Sequence, residues 1–86
     1  MRLVHICDSE RENERVAFEV INDQTTASQR RQFIVVNLNE ENPERLFKKE
    51  LVVRYLMRVS DTDRSIDWRE LDREIEGIMN ARIHNL

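Results

Sequence analysis

The sequence predicts an α+β fold in which a small antiparallel sheet of two to three strands is covered on one face by a C-terminal antiparallel helical hairpin. Three observations indicate this fold. Short apolar, β-branched segments occupy residues 2–38. The apolar spacing then changes to that of helices. The 86 residues suffice for one compact domain, residues 1–86. The predicted order is β-β-β-α-α, with β-α-β-α-α as the alternative.

The N-terminal segments are predicted to be strands. Residues 2–7 are apolar and β-branched, which favours a strand. Residues 15–22 fit either a strand or a helix, and their valine, phenylalanine and isoleucine content favours the strand. A polar loop at 24–29 leads to a strand at 32–38. The four consecutive apolar residues 33–36 are typical of a strand that is covered on both faces.

The first helix is predicted over residues 43–59. Asn42 is a suitable N-cap, and Pro43 lies in the first helical turn, where proline is favoured. Apolar residues cover more than half of the circumference, which is typical of a core helix. The strip expected to stay in water is basic and consists of Arg45, Lys48, Lys49, Arg54 and Arg58.

The second helix is predicted from about Ile66 to His84, with Ser65 or Asp63 as its cap. The short connection between the helices indicates that they pack antiparallel. Gly77 falls inside this helix, where glycine costs about 0.5–1 kcal/mol relative to alanine. We therefore predict that backbone approaches closely at Gly77, from the sheet, the first helix or a second subunit.

Composition excludes several classes of enzyme. A single glycine excludes the glycine-rich phosphate loops and the nucleophile elbow, and a single cysteine excludes a disulfide framework and multi-cysteine metal sites. No apolar run approaches the roughly 20 residues that span a bilayer. We therefore predict a non-enzymatic protein with no catalytic residue, no cofactor and no membrane partner. The chain turns polar within eight residues of its start, so we expect no secretory segment and a location in the reducing cytoplasm.

Two small groups of potential metal ligands have simpler explanations. His5 and Cys7 share one face of the first strand and would need a further ligand such as His84, yet side chains that merely pack show the same spacing. Asp61 and Asp63 flank one threonine, and carboxylates at this position commonly cap the following helix. We therefore predict no metal site.

Nucleic-acid binding is an alternative function, because segment 30–58 holds seven basic and four acidic residues. The second helix disfavours DNA, since it carries five acidic side chains against three arginines over residues 67–82. Few aromatic residues remain to stack bases, with Tyr55 and Trp68 the two not assigned to the core. The residues predicted to contact phosphates in this alternative are Arg30, Arg31, Arg45, Lys48 and Lys49.

The leading hypothesis is a small regulator or inhibitor that acts by protein–protein contact, of a kind common among bacterial and phage accessory proteins. The surface is densely charged with both signs, which sets the specificity of association. Trp68 is either a core anchor or an interface residue, and tryptophan and arginine are enriched at interface hot spots. The predicted partner-binding residues surround the connection between the helices: Asp61, Asp63, Arg64, Trp68 and Arg69.

The last helix also offers a homodimer seam. Apolar residues recur there at spacings of three and four, as in a coiled coil, but Arg82 interrupts the next position. The stripe covers two heptads, which is too short for an independent coiled coil. Packing on the protein's own sheet is therefore the default, and a structural homo-oligomer is a further alternative. The stripe consists of Trp68, Leu71, Ile75 and Ile78.

Overall fold

The structure, a computed structural model, describes residues 2–10, 13–21, 31–62 and 64–84. Its elements are β1 (Arg2–Glu10), β2 (Asn13–Ile21), β3 (Gln32–Asn37), α1 (Pro43–Thr62) and α2 (Trp68–His84). The strands form one antiparallel sheet in the order β1-β2-β3. The predicted α+β class and the order β-β-β-α-α are therefore confirmed.

Several boundaries differ from the predicted ones. The helical alternative for residues 15–22 is wrong, because β2 pairs with a strand on each side. β1 extends three residues past the predicted end at residue 7, and α1 extends three residues past residue 59. The predicted loop at 24–29, together with Arg30 and Asp63, lies outside the described residues.

The helices cover one face of the sheet. Phe18 lies directly between His5 on β1 and Ile34 on β3, and side chains paired in this way project from the same face. Phe18 is fully buried against the helices, so the face it occupies is the covered one. The core unites this face with both helices and consists of Leu3, Phe18, Val53, Tyr55, Leu56, Val59 and Leu71.

The start and the end of α1 are both held by specific hydrogen bonds. The backbone N–H groups of Glu44 and Arg45 donate to Asn42 Oδ1 at 3.0 and 3.2 Å. Asn42 is therefore the predicted N-cap, and the helix begins at Pro43. Near the other end, the Ser60 hydroxyl donates to the backbone carbonyl of Leu3 at 3.0 Å. The last turns of α1 consequently lie beside the beginning of β1.

The start of α2 lies two residues later than predicted, and Asp67 caps it. The backbone N–H groups of Arg69 and Glu70 donate to Asp67 Oδ1 at 3.1 and 3.2 Å. The predicted cap at Ser65 is therefore wrong. The carboxylate of Asp67 reaches the second and third N–H groups of the helix, which is the geometry of an N-cap.

α1 and α2 run antiparallel, as predicted. Two ion-pair bonds join Arg58 Nη2 to the carboxylate oxygens of Glu74 at 2.8 and 2.6 Å. The guanidinium of Arg82 lies 4.0 Å from the centre of the Phe47 ring. An earlier residue of α1 therefore meets a later residue of α2, which is the order that an antiparallel pair requires.

The surroundings of Gly77 differ from the prediction. A Cβ built at Gly77 would meet no other atom within 4 Å. The predicted close approach of the sheet or of α1 is therefore wrong. Gly77 lies on the exposed side of α2, so its unfavourable helix propensity has no compensating contact within the chain.

Candidate functional site

The second face of the sheet carries apolar residues that nothing covers within the described part of the chain. Ile6, Phe33 and Val35 are 38%, 47% and 54% exposed. The prediction that both faces of β3 are covered is therefore wrong, because both helices pack on the same side of the sheet. We call the uncovered side the open face, and its apolar residues are Val4, Ile6, Ala17, Ile21, Phe33 and Val35.

Charged residues lie among the apolar residues of the open face. Along β2 this face presents Arg15, Ala17 and Glu19 in succession, because alternate strand residues share a face. Glu19 Oε1 lies 3.8 Å from Nε of Arg31, which precedes β3. The central strand therefore carries a positive and a negative side chain at equal spacing on either side of an alanine.

The outer edge of β3 presents free backbone groups. The N–H of Leu38 donates to the carbonyl of Glu14 at 2.7 Å. Hydrogen-bonded pairs alternate along an antiparallel ladder, so the even-numbered residues of β3 direct their backbone groups toward β2. The N–H and C=O groups of Phe33 and Val35 consequently point away from the sheet. Among the described residues, β3 pairs with β2 alone.

The outer edge of β1 is different. The same alternation directs the backbone groups of Leu3 outward, and its carbonyl accepts the hydrogen bond from Ser60 on α1. A side chain from the helical layer thus occupies the beginning of this edge. The beginning of the β1 edge is therefore occupied, whereas no described side chain donates to Phe33 or Val35 on the edge of β3.

Trp68 lies over a hollow beside the edge of β3. This hollow has a volume of about 450 Å³ and is lined by Val20, Gln32, Phe33, Ile34, Ile66 and Trp68. Trp68 is 53% exposed, so the interpretation of it as a core anchor is wrong. It is the first residue of α2, and Leu71, one turn later, takes the buried position against the core.

The other predicted partner-binding residues lie on the surface close to Trp68 in sequence. Asp61, Arg64 and Arg69 are all exposed. Arg64 Nε donates to the Thr62 hydroxyl at 3.1 Å, which holds the connection against the end of α1. Sequence reasoning missed Phe33 as a surface residue, since its place in an apolar run assigned it to the core.

The structure separates the residues predicted to bind nucleic acid. Arg31 adjoins the end of the sheet where Leu3 contacts Ser60. Arg45 precedes Ser60 by fifteen residues on α1, which corresponds to about 22 Å along the helix. Arg31 and Lys49 are also engaged in ion pairs, Lys49 with Glu40 at 3.2 Å. Of the predicted set, Arg45 and Lys48 are exposed without such a pair among the described residues.

The carboxyl group of Glu40 is stabilised in its charged form. Lys49 Nζ donates a hydrogen bond to Glu40 Oε2, and the backbone N–H of Asn42 donates to Oε1 at 3.4 Å. These two hydrogen bonds, with that of Lys49 the stronger influence, lower the pKa of Glu40 below its ordinary value. Lys49 is therefore part of a structural pair at the start of α1.

Tyr55 and His5, candidates for base stacking and for metal binding, both pack against other residues of the protein. Tyr55, which the sequence left available for stacking on bases, is buried in the core. The ring of His5 packs on Phe18 with centroids 5.2 Å apart. Within the described ranges, no group of three or more His, Cys, Asp or Glu residues is placed to hold a metal ion.

A groove of about 440 Å³ runs between α1 and α2, lined by Leu51, Arg54, Met57, Arg58, Glu74, Ile75 and Ile78. Part of the predicted homodimer seam on α2 is not available to a second copy, because Leu71 and Ile75 pack against the core of the same chain. Ile78 stays exposed beside the groove. Among the described residues, the exposed large apolar side chains of the sheet are Ile6, Phe33 and Val35, and those of α2 are Trp68 and Ile78.

Comparison of the chain with protein-family models, with curated proteins and with solved structures finds no match. Neither helix of the described part is long and apolar enough to cross a membrane.

Proposed function

We propose that this chain is a non-enzymatic protein-binding module, a small regulator or inhibitor that acts by contact with another protein. The partner would contribute an extended segment that adds to the outer edge of β3. The observation that carries the proposal is the position of Trp68, more than half exposed over an apolar hollow beside that edge.

Strand addition divides recognition between the backbone and the side chains. The outward N–H and C=O groups of Phe33 and Val35 supply hydrogen bonds that any extended segment satisfies. The hollow under Trp68 accepts an apolar side chain, and pockets of this kind give such sites their specificity. Tryptophan in a position that becomes fully desolvated is also the residue most typical of binding hot spots.

The strand-addition site is tested by a proline at its edge. Because the N–H of Val35 points outward, Val35→Pro removes a donor for the partner strand while leaving the ladder to β2 intact. Val35→Thr is the matched control, since it changes the same side chain and keeps the N–H. Both variants are first compared with the parent by circular dichroism.

Proteins captured from the native cell by the parent chain supply the partner, and a peptide from its contact segment is then titrated. Trp68 is the single tryptophan of the chain, so its emission reports occupation of the hollow directly. We expect a blue shift on binding and a loss of affinity of about tenfold or more for Val35→Pro. Parent-like affinity in Val35→Thr completes the expected pattern. Parent-like binding by Val35→Pro, or unchanged Trp68 emission, contradicts the proposal.

A further inference from the structure

The chain exposes more surface than a globular protein of its mass. A folded monomer of 10.4 kDa is expected to expose about 5,400 Å². The observed accessible surface is 6987 Å², and the radius of gyration is 14.8 Å where about 12 Å is expected for 86 residues. The open face contributes to this surface, since Ile6, Phe33 and Val35 are 38%, 47% and 54% exposed.

We infer that the open face packs against the open face of a second copy of this chain. The two copies would form four layers, helices outside and two sheets inside, as in sheet-on-sheet packing. The face offers apolar residues from all three strands, including Ile6, Ala17 and Val35, which lie in one row across the sheet. In the described monomer, Ile6 and Val35 face solvent.

The charges on β2 identify the second copy as the occupant. Consider a two-fold axis that lies midway between the two sheets, runs perpendicular to the strands, and passes over Ala17 of β2 in each copy. It places Arg15 of each copy opposite Glu19 of the other, because each lies two residues, about 6.7 Å, from Ala17. The face is therefore complementary to itself in charge as well as in polarity, which fixes the register of the pair.

The ion pair between Arg31 and Glu19 is compatible with this arrangement. Arg31 pairs with Glu19 within one copy, but it is highly exposed and the separation is 3.8 Å, so the pair contributes little. The carboxylate of Glu19 has a second oxygen with which to accept from Arg15 of the other copy. In aligned packing, the strands of the two sheets cross at about 30° or less. Arg15 and Glu19 lie close to the two-fold axis, so this rotation separates them only slightly and their contact is preserved.

This inference uses the side chains of the open face, whereas the partner site uses the outward backbone groups of β3 and the hollow under Trp68; Phe33 and Val35 belong to both, and Arg15 and Glu19 belong to the face alone. It also assigns self-association to the open face in place of the homodimer seam on α2. The two roles are therefore tested by different variants, and failure of one leaves the other intact.

Sedimentation velocity of the full chain across micromolar concentrations tests the inference. We expect the parent to form a dimer. Arg15→Glu and Glu19→Arg each place like charges opposite each other and should raise the dissociation constant by about tenfold or more. The double variant restores opposite charges and should return to within about threefold of the parent.

Two control variants complete the experiment. Arg31→Gln removes the pair with Glu19 inside one copy and should leave the dissociation constant within about threefold of the parent. Ile6→Lys should abolish the dimer, whereas Met57→Lys, exposed on the helical side, should not. A parent that stays monomeric at high micromolar concentration overturns the inference. A double variant that dimerises as weakly as the single variants also overturns it. The same holds if Met57→Lys abolishes the dimer as Ile6→Lys does.

Discussion

Removal of the Tyr55 hydroxyl is the sharpest test of how α2 is positioned. Tyr55 is 2% exposed, and its hydroxyl makes two hydrogen bonds to the backbone of Asp67. It donates to the carbonyl at 3.1 Å and accepts from the N–H at 3.0 Å. Asp67 is also the N-cap of α2, and Trp68 is the next residue. The hydroxyl therefore fixes both the beginning of α2 and the position of the exposed tryptophan.

The magnitude of the effect follows from the two lost hydrogen bonds. Each contributes about 0.5–1.5 kcal/mol net, so Tyr55→Phe should lower the free energy of unfolding by about 1–3 kcal/mol. Because Asp67 is exposed, water replaces part of what is lost, and we expect about 1–2 kcal/mol. For a domain of this size, each kcal/mol lowers Tm by about 4–8 °C.

Urea unfolding followed by circular dichroism measures the stability loss, and the emission of Trp68 in the folded state measures its position. Ser60→Ala is the matched control, since it removes a single hydrogen bond between α1 and β1. It should cost about 1 kcal/mol and leave the emission unchanged. A stability loss in Tyr55→Phe below about 0.5 kcal/mol, or emission identical to the parent, would refute the reasoning.

Three further predictions concern the helices. Gly77→Ala should raise the free energy of unfolding by about 0.5–1 kcal/mol in urea unfolding, because the added Cβ enters open space. It should leave the dimer unchanged in sedimentation, and a weakened dimer would point back to α2 as the seam. Asn42→Ala should cost about 1 kcal/mol by the same unfolding assay, since two backbone N–H groups lose their acceptor. The pKa of Glu40 should lie below its ordinary value in an NMR titration, because Lys49 stabilises the carboxylate. The pair therefore stabilises the fold while the carboxylate is charged and is lost as acid protonates it, and Lys49→Met should move the midpoint upward.

Local signals in the sequence predicted the elements well. Asn42 and Pro43 marked the beginning of α1 because a cap and a first-turn proline act within a few residues. The beginning of α2 was harder to predict. Asp63, Ser65 and Asp67 are all suitable caps, and the hydrogen bonds from Tyr55 across the helix pair favour Asp67. Such a long-range contact leaves no local sequence signal.

The open face shows where sequence reasoning reaches its limit. The apolar run 33–36 correctly indicated that both sides of β3 are apolar. It did not indicate how many layers cover the strand, because that depends on where both helices pack. Trp68 was ambiguous for the same reason, since its burial depends on the position of the first turn of α2 relative to β3.

The face and the edge of the sheet have a joint consequence when the two proposals hold together. The two-fold axis that places Arg15 opposite Glu19 also places β3 of one copy over β3 of the other, about 10 Å apart. Both free edges then lie on the same side of the dimer, each beside its own Trp68. The dimer would therefore bind two extended segments side by side, with a stoichiometry of two to two. A tethered pair of partner segments should bind the parent far more tightly than a single one, and Arg15→Glu should remove that advantage while leaving single-segment affinity unchanged.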